Sequence, residues 1–187
     1  MTNKFIRAAL ALILLALLGA CAEPARMTAM IAVPSDTGGR SPAPSYRQAI
    51  MVTTVAGGTE TNALWMSKVG DAEFKEALVQ SLVANGLAAT REGRFVLEAV
   101  LMKLEQPYFG LDLKVTATIA YNLTDTSGGG VVYQNTLVTS GVATFSDAPI
   151  AVMRLKISNE RAIRANLTKL IEELLALPDR PAAGRSA

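Results

Sequence analysis

The chain contains no histidine among its 187 residues. That absence excludes Ser-His-Asp and Cys-His catalysis, a histidine general base and every histidine metal ligand. There is one cysteine, Cys21, so an internal disulfide and a multi-cysteine zinc site are excluded as well. A strong charge excess is also missing. Of the 18 basic residues, Lys4 and Arg7 precede a long apolar run and no acidic residue does, so 16 basic residues face 16 acidic ones beyond it. The bulk of the chain is therefore neutral, and no Lys/Arg-rich stripe remains to bind nucleic acid. Aromatic residues make up 5%, yet half the sequence is apolar, so a folded core is expected.

The longest apolar stretch is Ala8 to Ala20, preceded by Lys4 and Arg7. As a helix, its 13 residues span about 20 Å. That is short of the roughly 30 Å hydrocarbon core. Positive flank, short apolar run and small residues at the end are the pattern of an export signal. An uncleaved signal anchor is the alternative, disfavoured by the short run. The segment closes on Leu18-Gly19-Ala20-Cys21. This resembles the lipobox of bacterial lipoproteins: a branched apolar residue, two small residues and a cysteine. The resemblance implies cleavage between Ala20 and Cys21 and a diacylglyceryl group on the Cys21 sulfur. It implies a soluble body tied to one leaflet. Ala22 and Glu23 follow the cysteine where Asp would favour the inner membrane, which implies the outer membrane, facing the periplasm.

Residues 22–45 contain Pro24, Pro34, Pro42, Pro44 and a Gly-Gly pair, with no sustained period. Composition predicts that 21–45 is the lipidated cysteine plus a flexible tether with an end-to-end distance of roughly 25–30 Å. The tail 178–187 reads as disordered. A single domain is left at 46–177.

Within it, "YRQAIMVTTVAGG" predicts a strand, and "GDAEFKEALVQSLVANGL" a helix capped by Asp71 and closed by Gly86. "RFVLEAVLMKLEQ" is apolar on both faces and predicts a central strand. "LDLKVTATIAYNLTD" alternates strictly, with Leu111, Leu113, Val115, Ala117, Ile119, Tyr121 and Leu123 on one side. "VVYQNTLVTSGVATF" predicts a fourth strand, bulged near Gly141. From Pro149 a long helix runs to Leu177, with an apolar stripe through Ile163, Leu167, Leu170, Ile171 and Leu174, and an i,i+4 pair of Glu160 with Arg164. The order β-α-β-β-β-α predicts an α+β two-layer sandwich. Its four-stranded, mostly antiparallel mixed sheet would carry two helices on one face and leave the other Thr-rich and solvated.

Catalytic and metal motifs are not recognised, and no cofactor is expected. Gly128-Gly129-Gly130 lacks a following Lys-Ser/Thr and reads as a turn. Asn122 and Asn166 match the glycosylation pattern by chance in a bacterial context. Glu98, Glu105 and Asp112 read as solvated, without a spacing that converges. Trp65 reads as core. Asn159 and Asn166, seven apart on one helix face, read as internal ties, with a partner contact as the alternative. Pro107-Tyr108-Phe109 puts two aromatics into a predicted turn. If exposed, Tyr108 and Phe109 would touch a partner or the membrane interface; otherwise they fold back over the sheet edge.

The layout as a whole, with "FKEALVQSLVANGL", alternating strands and "NERAIRANLTKLIEELL", is similar to small envelope lipoproteins of the YajG type. It is more distantly similar to the lipopolysaccharide-transport lipoprotein LptE and to the domain of the curli-secretion lipoprotein CsgG. The resemblance implies a non-enzymatic accessory role in outer-membrane assembly or maintenance through contacts with another envelope protein. Two alternatives stand beside it. A carrier of lipid or small ligands would need an apolar cavity between helices and sheet. A carboxylate-dependent periplasmic hydrolase would need two facing acids in a cleft.

Overall fold

The computed structural model describes residues 25–57, 69–107 and 109–181. The segment read as an export signal, with Ala20 and Cys21, and likewise Trp65 and Tyr108 lie outside the described residues.

The alternating segment forms the longest regular inner face in the sheet. In β3 (Leu113–Asp125) every second residue from Leu113 to Asp125 is buried and those between are not. β3 pairs antiparallel with β2 (Phe95–Glu105) and with β4 (Gly130–Ala143), while β1 (Ile50–Ala56) pairs parallel with β2. The strand order is β1-β2-β3-β4. Two long helices, α2 (Asp71–Ala84) and α3 (Ala151–Leu175), cover one face of this sheet. The predicted architecture is the observed one. No helix among the described residues is long and apolar enough to cross a membrane.

Several local expectations change. β2 is central, but only Phe95, Leu97, Ala99 and Leu101 are buried; Val100 and Met102 stand exposed on the uncovered face. Both helices lie on the same side, so apolar residues on the far side have nothing to pack against. Asp71 is the first residue of α2 and Gly70 its N-cap; Asp71 and Glu73 still favour the positive end of the helix. Gly86 sits at φ 70°, with Leu87 N–H donating to the Leu82 carbonyl and Gly86 N–H to that of Val83, a Schellman closure.

The register is regular around Gly141, with no bulge there. The glycine is needed for another reason. A Cβ at Gly141 would overlap backbone atoms of Ser158 and Ala162, so α3 lies directly on β4 at that point. The register breaks instead between Leu101 and Lys103 in β2 and opposite Leu123/Thr124 in β4.

The largest correction concerns residues 25–45. They are part of the packed body, not a tether. A short helix, α1 (Met27–Met30), lies across α2 and α3, and Met30 and Ala32 are fully buried. The Ala32 N–H donates to Ser81 Oγ at 3.0 Å, and Asn85 Nδ2 donates to the Ala32 carbonyl at 3.1 Å. Asp36 accepts from Nε and Nη2 of Arg164 at 3.0 and 2.7 Å. Arg26 donates through its backbone N–H to Glu160 at 2.8 Å. Glu160 and Arg164 thus turn to this segment rather than to each other. Pro34 and Pro44 open tight turns, and Tyr46 stacks on Phe95 with ring centroids 4.6 Å apart. The start of the tail is fixed too: Ser45 N–H donates to Asp179, and Arg180 N–H to Ser45 Oγ, each at 2.9 Å.

Candidate functional site

Parallel β1 and antiparallel β3 and β4 bring the C-terminal ends of β1, β2 and β4 and the start of β3 to one end of the sandwich. The β2–β3 turn and the β4–α3 loop therefore lie side by side, and both carry exposed apolar side chains. Phe109 is 90% exposed and Leu111 74%, so Phe109 does not fold back over the sheet edge. Phe145, Ile150 and Met153 are exposed from the β4–α3 loop and the start of α3.

A buried cation joins the two loops. Arg154, in the first turn of α3, is 4% exposed. Its Nη1 donates to the carbonyls of Ala148 and Pro149, each at 2.8 Å, and its Nη2 faces the Gly110 carbonyl at 3.4 Å. The guanidinium also stands over the Phe145 ring, 5.5 Å from its centroid. A planar fork of donors suits this bridging of several carbonyls. Gly110 adopts φ 147°, and a Cβ there would come within 2.9 Å of the Asp112 carbonyl oxygen. That backbone turn directs Phe109 and Leu111 outward.

Two turns along α3, Arg161 fixes the same loop. It donates to the Val142 carbonyl and to both carboxylate oxygens of Asp147. These bonds and the Thr144 N–H hold the Asp147 carboxyl well below the usual carboxylate range. Ser158 Oγ donates to the Leu113 carbonyl at 2.7 Å, and Gln106 Nε2 to Asn159 Oδ1 at 2.8 Å. Those bonds bind α3 to the strand ends at this level.

The asparagine pair is accounted for internally. Asn166 donates to the Leu137 carbonyl and Thr139 Oγ1, each at 3.0 Å, and accepts from the Tyr121 hydroxyl at 2.8 Å. The carboxylates do not converge. Glu98 and Glu105 are seven residues apart on β2, roughly 23 Å. Glu98 faces Asn122, and Glu105 pairs with Lys103. Among the described residues no group of three or more Asp, Glu, Cys or His side chains is placed to hold a metal ion. An open groove of about 550 Å³ beside α3 is rimmed by Asp36, Arg161, Arg164, Lys169 and Glu172.

Sequence reasoning found Phe109 but placed Leu111 on the inner face of a strand that begins only at Leu113, and it missed Phe145, Ile150, Met153 and the arginine that organises them. The available signal was apolar residues in two loops that the strand order brings to the same end.

No family model and no curated protein matches the sequence. Solved structures do. A Xanthomonas campestris protein of the DUF330 family, XCC0632, superposes with TM-score 0.54 at 16% identity, over 73% of this chain and 90% of that one. It shows the shared fold. A candidate lipoprotein from Caulobacter crescentus superposes with TM-score 0.49 at 16% identity, over 70% and 90% of the two chains. The PelC dodecamer from Paraburkholderia phytofirmans gives 0.48 at 19% identity, over 73% and 95%.

Proposed function

We propose that this chain is a lipid-anchored envelope protein, attached through Cys21 to the outer membrane and facing the periplasm. Its domain serves outer-membrane assembly or maintenance through protein contacts, without catalysis. The observation that carries the reading is Leu18-Gly19-Ala20-Cys21 at the end of a short apolar run with a basic flank. Two or three acyl chains on one cysteine give stable attachment, at about 0.8 kcal/mol per buried CH₂.

The use of polar groups in the fold supports action by contact. Buried Ser81, Asn85, Arg154, Ser158 and Asn166 each tie one structural element to another. An acyl chain would need an apolar cavity. The groove beside α3 is rimmed by charges, and α3 lies on β4 at Gly141 without room for a methyl group.

Labelled palmitate tests the anchor. The wild type takes up label and fractionates with the outer membrane, and Cys21→Ala does neither. Equal labelling of the two, or none in either, refutes attachment through Cys21. Crosslinking in the native envelope then identifies the partner; its absence in the wild type at every surface position refutes the contact role.

A further inference from the structure

We infer that the apolar end of the sandwich is a membrane-docking surface, seated on the same leaflet as the lipid on Cys21. The inference rests on the lipid-anchor reading and adds to it a second attachment and an orientation.

Ala25 is buried, and Arg26 is hydrogen-bonded to Glu160 of α3. Only three residues, Ala22, Glu23 and Pro24, lie between Cys21 and Ala25, four Cα steps in all. Fully extended they reach about 14 Å. The body cannot hang from a long tether; it is held against the leaflet.

The chain also enters at a definite place. Followed backwards, it runs from Asp36, bound to Arg164, to Arg26, bound to Glu160 one turn nearer the start of α3. Glu160 adjoins Asn159, which accepts from Gln106, three residues before Phe109. The neighbouring Ser158 donates to Leu113, the first residue of β3. The entry point is therefore level with the strand ends that carry the apolar loops. From Glu160 to its start at Ala151, α3 extends about another 13 Å in that direction. That length matches the reach of the four Cα steps from Cys21 to Ala25. A leaflet holding the acyl chains of Cys21 meets Phe109, Leu111, Phe145, Ile150 and Met153.

The chemistry of this end suits a lipid interface. Exposed aromatic and aliphatic side chains protrude from it. The Arg154 charge is turned inward onto main-chain carbonyls, and Asp147 is neutralised by Arg161. Lipid anchors and a second, weaker contact commonly act together. The acyl chains supply the affinity and the protein surface supplies the orientation.

The test uses the full lipidated chain in its native envelope. A photoactivatable benzophenone side chain replaces Phe109 or Met153, and Arg91, on the loop before β2 at the opposite end, serves as control. Cells are grown with labelled palmitate and labelled inorganic phosphate. Palmitate, counted before irradiation because a crosslinked phospholipid would bring labelled acyl chains of its own, reports the anchor. Phosphorus reports crosslinks to phospholipid, because the anchor's own thioether-linked diacylglyceryl and N-acyl groups contain none. The expected result is equal palmitate in all three proteins, with phosphorus several-fold higher at 109 and 153 than at 91. Palmitate with phosphorus no higher at 109 and 153 than at 91 overturns docking and leaves the anchor standing. Protein adducts in place of lipid at 109 and 153 overturn docking in favour of a protein partner. Absence of palmitate overturns both readings.

Discussion

Replacing Asn166 by alanine removes the polar hinge between α3 and the sheet. Asn166 is fully buried, and three hydrogen bonds are lost together. The most expensive loss is the acceptor of the Tyr121 hydroxyl, which is itself inside the core; a buried donor without a partner costs about 1–3 kcal/mol. The two donated bonds, to Leu137 and Thr139, are worth about 1 kcal/mol each at most. Thr139 keeps its bond to the Ala162 carbonyl at 2.9 Å, which softens its share. Alanine returns about 0.5 kcal/mol through its better helix propensity. The net expectation is a loss of about 3 kcal/mol, or about 6–12 °C in Tm for a domain of this size. Urea denaturation followed by far-UV circular dichroism, in a Cys21→Ala background that needs no detergent, measures it. Tyr121→Phe completes a double-mutant cycle, because it strands the Asn166 oxygen and the double variant strands neither. A coupling of about 1–2 kcal/mol is expected. Additive losses would refute the hydrogen bond as the unit that joins the layers.

Two other predictions concern charge. Arg94 donates to both Asp125 oxygens, at 3.1 and 2.6 Å, and with Ser127 holds the Asp125 carboxyl far below its ordinary 3.8. A depressed native value means stability that is present above the ordinary value and lost as pH falls below it towards the native one. Asp125→Asn should lower the urea midpoint at neutral pH and flatten its fall between about pH 5 and pH 2, so that the two proteins converge in acid; parallel curves would contradict this. Arg154→Ala should speed hydrogen exchange in 109–112 and 145–150 while the β2–β3–β4 ladder keeps its protection. Arg154→Lys should rescue little, since one ammonium cannot reproduce the fork. Uniform loss of protection would show that Arg154 supports the whole fold instead of this end.

The sheet was legible because its central pattern is local. β3 alternates with period two since one face is buried and the other is not, and that contrast is written in the residues themselves. The stripe of α3 was legible for the same reason, with Ile163, Leu167, Leu170, Ile171 and Leu174 all buried. Tertiary partners were not. Glu160 and Arg164 have the spacing of a helix pair worth about 0.3–0.5 kcal/mol. Such a pair yields readily to Arg26 and Asp36, which arrive from more than 120 residues away with better geometry. Arg154 was illegible because its partners are main-chain carbonyls, and no side-chain pattern announces those.

The N-terminal segment was misread for a reason that bears on function. Proline and glycine mark chain reversals, and a reversal in a packed segment looks like one in a free segment. Residues 25–46 cross the helices in short pieces, so they bury single side chains, Met30, Ala32 and Tyr46, in place of a periodic face. No period exists to be detected. Tether and packed strap nevertheless imply different molecules. A tether of 25 residues would let the domain search a hemisphere roughly 25–30 Å in radius. A strap leaves three residues between the body and Cys21, four Cα steps with a reach of about 14 Å. With the proposed lipid on Cys21, such a body would be confined to the membrane surface with one end facing it. Its contacts would then be limited to partners in that thin layer.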